Sequence, residues 1–208
     1  FLVVVFSLFK QKQKVNDILK IKNERIEEMH NDVVSSIRYA QRIQTAILPP
    51  EEFMQSKLKN DFFVLYEPKD IVSGDFYWLD EKNDKILVSA IDCTGHGVPG
   101  AFMSMIGYNS LNKAVKEYGL TKPSDILNAQ NKFIAEALRK STNKTIRDGM
   151  DMAFIALDYK KMTVEYAGAY NPLYIVREGE LIHIKSDNIP IGSYFQEEER
   201  KYKNHELE

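Results

Sequence analysis

Asp75-Phe76-Tyr77-Trp78-Leu79-Asp80-Glu81-Lys82-Asn83-Asp84-Lys85-Ile86-Leu87-Val88-Ser89-Ala90-Ile91-Asp92 reads as two strands closing on a two-residue turn. Strand formers fill Asp75 to Leu79 and Ile86 to Ile91, and Asn83-Asp84 supplies the residue types that accept the left-handed backbone of a tight hairpin. With those two residues as the turn, Lys82 faces Lys85 and, counting outward, Asp75 faces Asp92. Directly opposed side chains on one face have Cβ atoms about 4.5–5.5 Å apart, and like charges there cost up to about 1 kcal/mol. Two carboxylates so placed need a cation or a shared proton. A register slip of two residues would part them, so the hairpin alone leaves open both a site and a pair of solvated aspartates.

The residues after the second aspartate add to the first possibility. Asp92-Cys93-Thr94-Gly95-His96-Gly97-Val98-Pro99-Gly100 places three glycines in six positions, after an apolar strand and before a helical stretch. Such a turn lets backbone oxygens approach an ion closely, and the helix start beyond it favours an anion such as phosphate. Carboxylates, carbonyls and water are hard oxygen ligands, which select Mg2+ or Mn2+ over zinc or copper. His96 has three open roles: ligand, general acid, or a turn residue that orients water. Lys69, six residues before Asp75, reads either as a phosphate neighbour that neutralises charge or as a solvated loop lysine.

Outward from this centre the chain reads as an α+β domain. Phe62 to Glu67 is a further strand candidate, and helices are expected from Pro99 to Tyr118 and from Ser124, as N-cap, to Lys140. Strands then follow at Met152 to Asp158, Thr163 to Ala167, Leu173 to Arg177 and Leu181 to Lys185. Strands, a helix pair and strands again favour helices packed on antiparallel sheet over a repeating βαβ fold. Phe102, Met103, Met105 and Ile106 are read as helix core. Asn171, before Pro172, reads as a turn residue. Residues 49–208 form the expected globular domain.

Residues 10–48 contain no glycine and no proline before Pro49 and read as one long helix. Leu19, Ile26, Val33, Ala40 and Ile47 fall at one heptad position and Val15, Lys22, Met29, Ser36 and Ile43 at the other, a seam suited to a two-stranded coiled coil and hence a homodimer. A spacer helix packed on its own domain is the alternative. Residues 1–9, FLVVVFSLF, are uncharged and precede Lys10, Lys12 and Lys14. Nine residues cover about 14 Å as a helix, so they are read as the cytoplasmic end of a membrane helix in a fragment of a longer protein. A soluble strand or helix is the other reading. On the first one, the rest is a membrane-anchored domain in the cytoplasm.

The 208 residues carry 28 basic and 30 acidic side chains, a net charge of -2, which gives no overall electrostatic case for nucleic acid as a partner. The single Cys93 excludes an intramolecular disulfide and multi-cysteine zinc sites. Pro99 stands where a thiolate phosphatase would need its arginine, and no phosphate-binding loop ending in lysine and serine or threonine is present.

Ser73-Gly74-Asp75-Phe76-Tyr77-Trp78, Asp92 to Ala101, Asp148-Gly149-Met150-Asp151 and Ala167-Gly168-Ala169-Tyr170-Asn171-Pro172-Leu173 together resemble, in order, the pattern of SpoIIE-type bacterial serine/threonine phosphatases of the metal-dependent PPM class. The likeness spans about Ala46 to Gly192. It implies an αββα sandwich, incomplete at the C-terminus, with the site at one end of two sheets and two divalent cations, Mn2+ or Mg2+. It also implies that Asp75 ligates one cation, Asp92 bridges both and acts with Asp75 in catalysis, and the Cys93 carbonyl completes the set. Gly95, His96, Gly97, Lys69 and Asp151 are neighbours on this reading. The implied substrate is a phosphorylated regulatory protein, such as an anti-sigma-factor antagonist. The family pattern continues with a Thr-Asp-Gly turn and a later acidic residue that this sequence does not contain. A catalytically silent dimeric module of the same fold is the alternative function.

Overall fold

The computed structural model describes residues 1–59, 61–139, 148–192 and 201–207. The chain divides into two compact units, residues 1–42 and 43–208. Helix α1, Leu2–Ile47, is the long helix the sequence predicts, begun earlier than Lys10. The heptad positions from Val15 to Ala40 are all exposed. No helix among the described residues is long and apolar enough to cross a membrane.

The second unit holds α2 (Glu51–Leu58), β1 (Phe76–Lys82), β2 (Lys85–Cys93), α3 (Gly97–Asn112), α4 (Pro123–Arg139), β3 (Met150–Asp158), β4 (Thr163–Ala169), β5 (Leu173–Arg177), β6 (Glu180–Ile184) and β7 (His205–Leu207). A wider π turn, Lys113–Glu117, continues α3 where an ordinary helix to Tyr118 was expected. Asn83 and Asp84 have φ of 53° and 63°, the left-handed pair that a two-residue hairpin requires. Phe76 accordingly pairs with Ile91 and Lys82 with Lys85. One antiparallel sheet runs β1-β2-β3-β4-β7, and β5 and β6 form a separate two-stranded sheet.

Strand alternation sorts the large sheet into two faces. Met150, Met152, Phe154 and Ala156 of β3, with Leu87, Ile91 and Cys93 of β2 and Phe76 and Trp78 of β1, form the core beneath Leu111, Ile126, Leu127 and Ile134 of the helices. Gly107 allows α3 to lie this close, since a Cβ there would meet Met150 Cε at 2.9 Å. Met103 is buried, whereas Phe102 is 67% exposed and is not core. The opposite face carries Tyr77, Val88, Ala90, Ala153 and Ile155, which line a groove of about 550 Å³ with the segment 62–68 and Leu173.

Two local expectations are corrected. Phe62 to Glu67 forms no strand and pairs with none among the described residues, and Phe63 and Leu65 are exposed. A run of β-formers becomes a strand only where a partner edge satisfies its backbone. Ser124 is not the N-cap of α4, because Pro123 already occupies the first helical position and Asp125 and Ile126 donate to the Lys122 carbonyl.

Candidate active site

Asp75 immediately precedes β1, and Asp92 is the penultimate residue of β2, so both lie at the same end of the sheet. The pairing of Phe76 with Ile91 and strand alternation put them side by side on the face opposite the helices. Burial raises the pKa of Asp75 above its ordinary value, and the charge and hydrogen bond of Asp92 raise it further. Asp92 also pairs directly with Asp151 across β2 and β3. Burial, then the charge of Asp92, raises Asp151 in the same way. Three neighbouring strands thus deliver three aspartates to one face, and the middle one raises the pKa of both its neighbours.

The glycine turn packs against this row. A Cβ on Gly74 would meet the Gly95 carbonyl oxygen at 2.5 Å and that of Cys93 at 3.1 Å. A Cβ on Gly100 would meet the same Gly95 oxygen at 2.5 Å and Gly74 Cα at 2.9 Å. The backbone before Asp75 therefore lies on the start of α3, and the Cys93 carbonyl points toward it. Gly95 and Gly97 have φ of 89° and 61°, which admit few other residues. The turn is tied to β3 by Thr94 N–H donating to the Gly149 carbonyl at 2.9 Å and Gly149 N–H donating to Thr94 Oγ1 at 3.2 Å. The Cys93 side chain turns into the core, where burial and the two aspartates push its thiol well up, so it stays protonated.

His96 caps α3, with its Nδ1 2.7 Å from Asp70 Oδ2 and its Nε2 3.3 Å from Lys69 Nζ. An ammonium donates only, so the contact with Lys69 makes Nε2 an acceptor and leaves the ring proton on Nδ1, facing Asp70. Lys69, read from sequence as a loop cation, is thereby brought to the histidine of the glycine turn. The sequence reading missed Asp70, Tyr66, Ser73 and Gln44. Tyr66 donates its hydroxyl to the Asp75 carbonyl at 3.2 Å, and Ser73 Oγ accepts from Asp75 N–H at 3.0 Å. The contacts of Tyr66, Asp70 and Gln44 cross sequence gaps and have no periodic signature, whereas that of Ser73 with Asp75 is a local turn two residues long.

Asn171 serves the fold. Tyr166 crosses its own strand to donate to the Asn171 carbonyl at 2.6 Å, and it passes where a Gly168 Cβ would lie 1.9 Å from its hydroxyl. The motif around Gly168 is thus a tyrosine-locked turn.

The donor set suits a hard cation. Among the described residues no three His, Cys, Asp or Glu side chains converge to hold a metal unaided. Two carboxylates and a carbonyl remain, and Mg2+ commonly takes one or two carboxylates and keeps several waters.

The SiaA-PP2C domain of Pseudomonas aeruginosa is 30% identical, with a TM-score of 0.74 over 86% of this chain and 68% of that one. The RsbU and RsbW domains of a Mycobacterium tuberculosis protein match at 19% identity and a TM-score of 0.51, over 68% of this chain and 37% of theirs. A serine/threonine phosphatase of S. agalactiae matches at 16% and 0.50, over 70% and 71%. These two show likeness of fold. Comparison with curated proteins gives no match. The family model for stage II sporulation protein E (SpoIIE) matches residues 82–208, which include β2, the glycine turn and β3, and the chain belongs to the SpoIIE family.

Proposed function

We propose that the protein is a metal-dependent phosphatase that hydrolyses phosphoserine or phosphothreonine on a regulatory protein, such as an anti-sigma-factor antagonist, in bacterial signal transduction. The observation that carries this reading is the Asp75–Asp92 pair at the end of the hairpin, where burial and then the charge of Asp92 hold Asp75 above its usual pKa. A cation between the two carboxylates turns that repulsion into attraction. Asp75 and Asp92 are the ligands, with the Cys93 carbonyl beside them and Asp151 as a third carboxylate next to Asp92. When bound, two divalent cations, Mn2+ or Mg2+, neutralise phosphoryl oxygens and supply a water acidic enough to react near neutral pH. The α3 N-terminus and the Lys69 ammonium favour the incoming anion. His96, held by Asp70, is placed to move a proton at Nε2 once the substrate draws Lys69 away.

The exposed heptad seam of α1 supports a homodimer through a coiled coil, and the apolar residues 1–9 followed by lysines support attachment to the inner membrane with the domain in the cytoplasm. A Leu19→Asp, Ile26→Asp double variant is expected to sediment as a monomer. Wild type already sedimenting as a monomer rejects the dimer.

The experiment is hydrolysis of a phosphoserine protein with Mn2+, with and without chelator. Activity should require the metal and fall more than about 100-fold in Asp92→Asn, beyond the 10–100-fold typical of residues that only support a ligand. Full activity in that variant rejects the reading. The silent dimeric module is favoured by the lack of three converging metal-binding side chains among the described residues. It prevails if no phosphoprotein is hydrolysed while the dimer and the fold are intact.

A further inference from the structure

Gln44 is the only residue of α1 that is buried, at 5% exposure, although glutamine is usually a surface residue. Its Nε2 donates to the Ser73 carbonyl at 2.6 Å and to Ser104 Oγ at 2.8 Å, while its Oε1 accepts the Ser73 N–H at 2.9 Å. The amide can sit only this way round, because a flip would set donor against donor and acceptor against acceptor. It therefore pairs with Ser73 as a neighbouring strand would. That pairing matters because Ser73 and Asp75 precede Phe76, the first residue of β1 with a strand partner. Their backbone is held by side chains: Gln44 on both polar groups of Ser73, Ser73 Oγ on Asp75 N–H, and Tyr66 on the Asp75 carbonyl. Ser104, which donates to the Ala101 carbonyl, lies on α3, so one amide joins the loop of Asp75 to the helix that follows the glycine turn.

From this we infer that Gln44 is a positioning residue for the cation site: it sets the backbone of Asp75 so that its carboxylate meets that of Asp92. This rests on the metal-site reading above. A residue that only supports the fold would change melting temperature and leave metal affinity in the folded protein alone.

The test uses the whole chain, with Gln44→Met, which keeps the volume and removes the polar atoms, and Gln44→Glu, which keeps an acceptor for Ser73 N–H and loses both donors. Two quantities are measured: amide hydrogen exchange without metal, and the dissociation constant for Mn2+ by calorimetry. In Gln44→Met, exchange at Ser73 and Asp75 should speed up at least tenfold with β2 and β3 unchanged, and in both variants Mn2+ binding should weaken about tenfold, the low end for partners that orient a ligand. Affinity within twofold of wild type in a folded variant overturns the inference, even where exchange rises. If Gln44→Met does not fold, Gln44→Glu carries the same comparison, and failure of both to fold assigns Gln44 to stability and also overturns it. Wild type binding no Mn2+ removes the metal-site reading and this inference together. Wild type binding Mn2+ through Asp92, with both variants equal to it, removes this inference alone.

Discussion

Replacing Asp92 by asparagine should move stability in opposite directions with and without metal. In the metal-free protein Asp92 has a carboxylate neighbour on each side, Asp75 across the hairpin and Asp151 by strand pairing. Opposed like charges in a sheet cost up to about 1 kcal/mol per pair, and both sites are partly solvated, so relief of the two contacts is worth about 1 kcal/mol in total. An asparagine amide can also donate to Asp75. For a chain of this size about 1 kcal/mol corresponds to 2–4 °C in melting temperature. In EDTA, Asp92→Asn should therefore melt about 2–4 °C above wild type. With Mn2+ at a hundredfold excess over its dissociation constant, wild type gains about 2.7 kcal/mol, or roughly 5–10 °C, and the variant, lacking the shared ligand, gains almost none. The two melting curves should thus exchange order between EDTA and Mn2+, as read by calorimetric scans of each protein in each buffer. A variant less stable than wild type in EDTA, or one stabilised by Mn2+ to the same degree, would refute the assignment of Asp92 as a crowded metal ligand.

Burial and the same crowding together set a pH dependence. Asp75 and Asp151 have folded pKa values raised above the ordinary 3.8, so the folded protein holds protons that the unfolded chain has released. Stability from that source is complete below the unfolded value and is lost as pH rises through the raised values; metal-free urea midpoints should fall from acid toward neutral pH, and Asp92→Asn should flatten the slope. Gly100→Ala should destabilise by about 3 kcal/mol or more, since its Cβ meets two backbone atoms that belong to the site rather than a side chain that can move; a urea midpoint equal to wild type rejects the close-packed turn. Cys93→Ser should cost about 1–3 kcal/mol for a hydroxyl in an apolar core, yet keep Mn2+ affinity by calorimetry, because the ligand there is the carbonyl. Loss of metal binding with the fold intact would move the ligand to the sulfur.

What the sequence disclosed follows from how local each determinant is. Asn83-Asp84 fixes its own turn, and the turn fixes the pairing of Phe76 with Ile91, so the register follows from counting along the sequence. The glycines at 95, 97 and 100 announce a tight approach in the same local manner. Helix α2 was not read, because eight residues after two prolines carry too few apolar repeats to show a period. Strand β7 was not read either, as its three residues become a strand only by meeting Val164 to Tyr166 of β4. Asp70 and Tyr66 reach the site from an irregular loop through one hydrogen bond each, and no spacing rule ties Gln44, with its three hydrogen bonds, to Ser73 across 29 residues.

Asp151 shows how one more step of counting would have gone further. It opens an apolar strand and so reads as an incidental neighbour, yet β3 pairs with β2 so that Asp151 meets Asp92 and Ile155 meets Val88. Side chains alternate with a period of two, and slipping β2 by one residue would replace Asp92 on that face with Ile91 or Cys93, both of which belong to the core. Burial of Ile91 and Cys93 under α3 and α4 thus enforces the outward aim of Asp92. The same alternation in β3, with Met150 and Met152 beneath the helices, enforces that of Asp151. The crowding of carboxylates is accordingly maintained by the apolar core on the reverse of the sheet: each buried residue next to an aspartate holds its neighbour in place against a repulsion that the aspartates alone would relax by turning away.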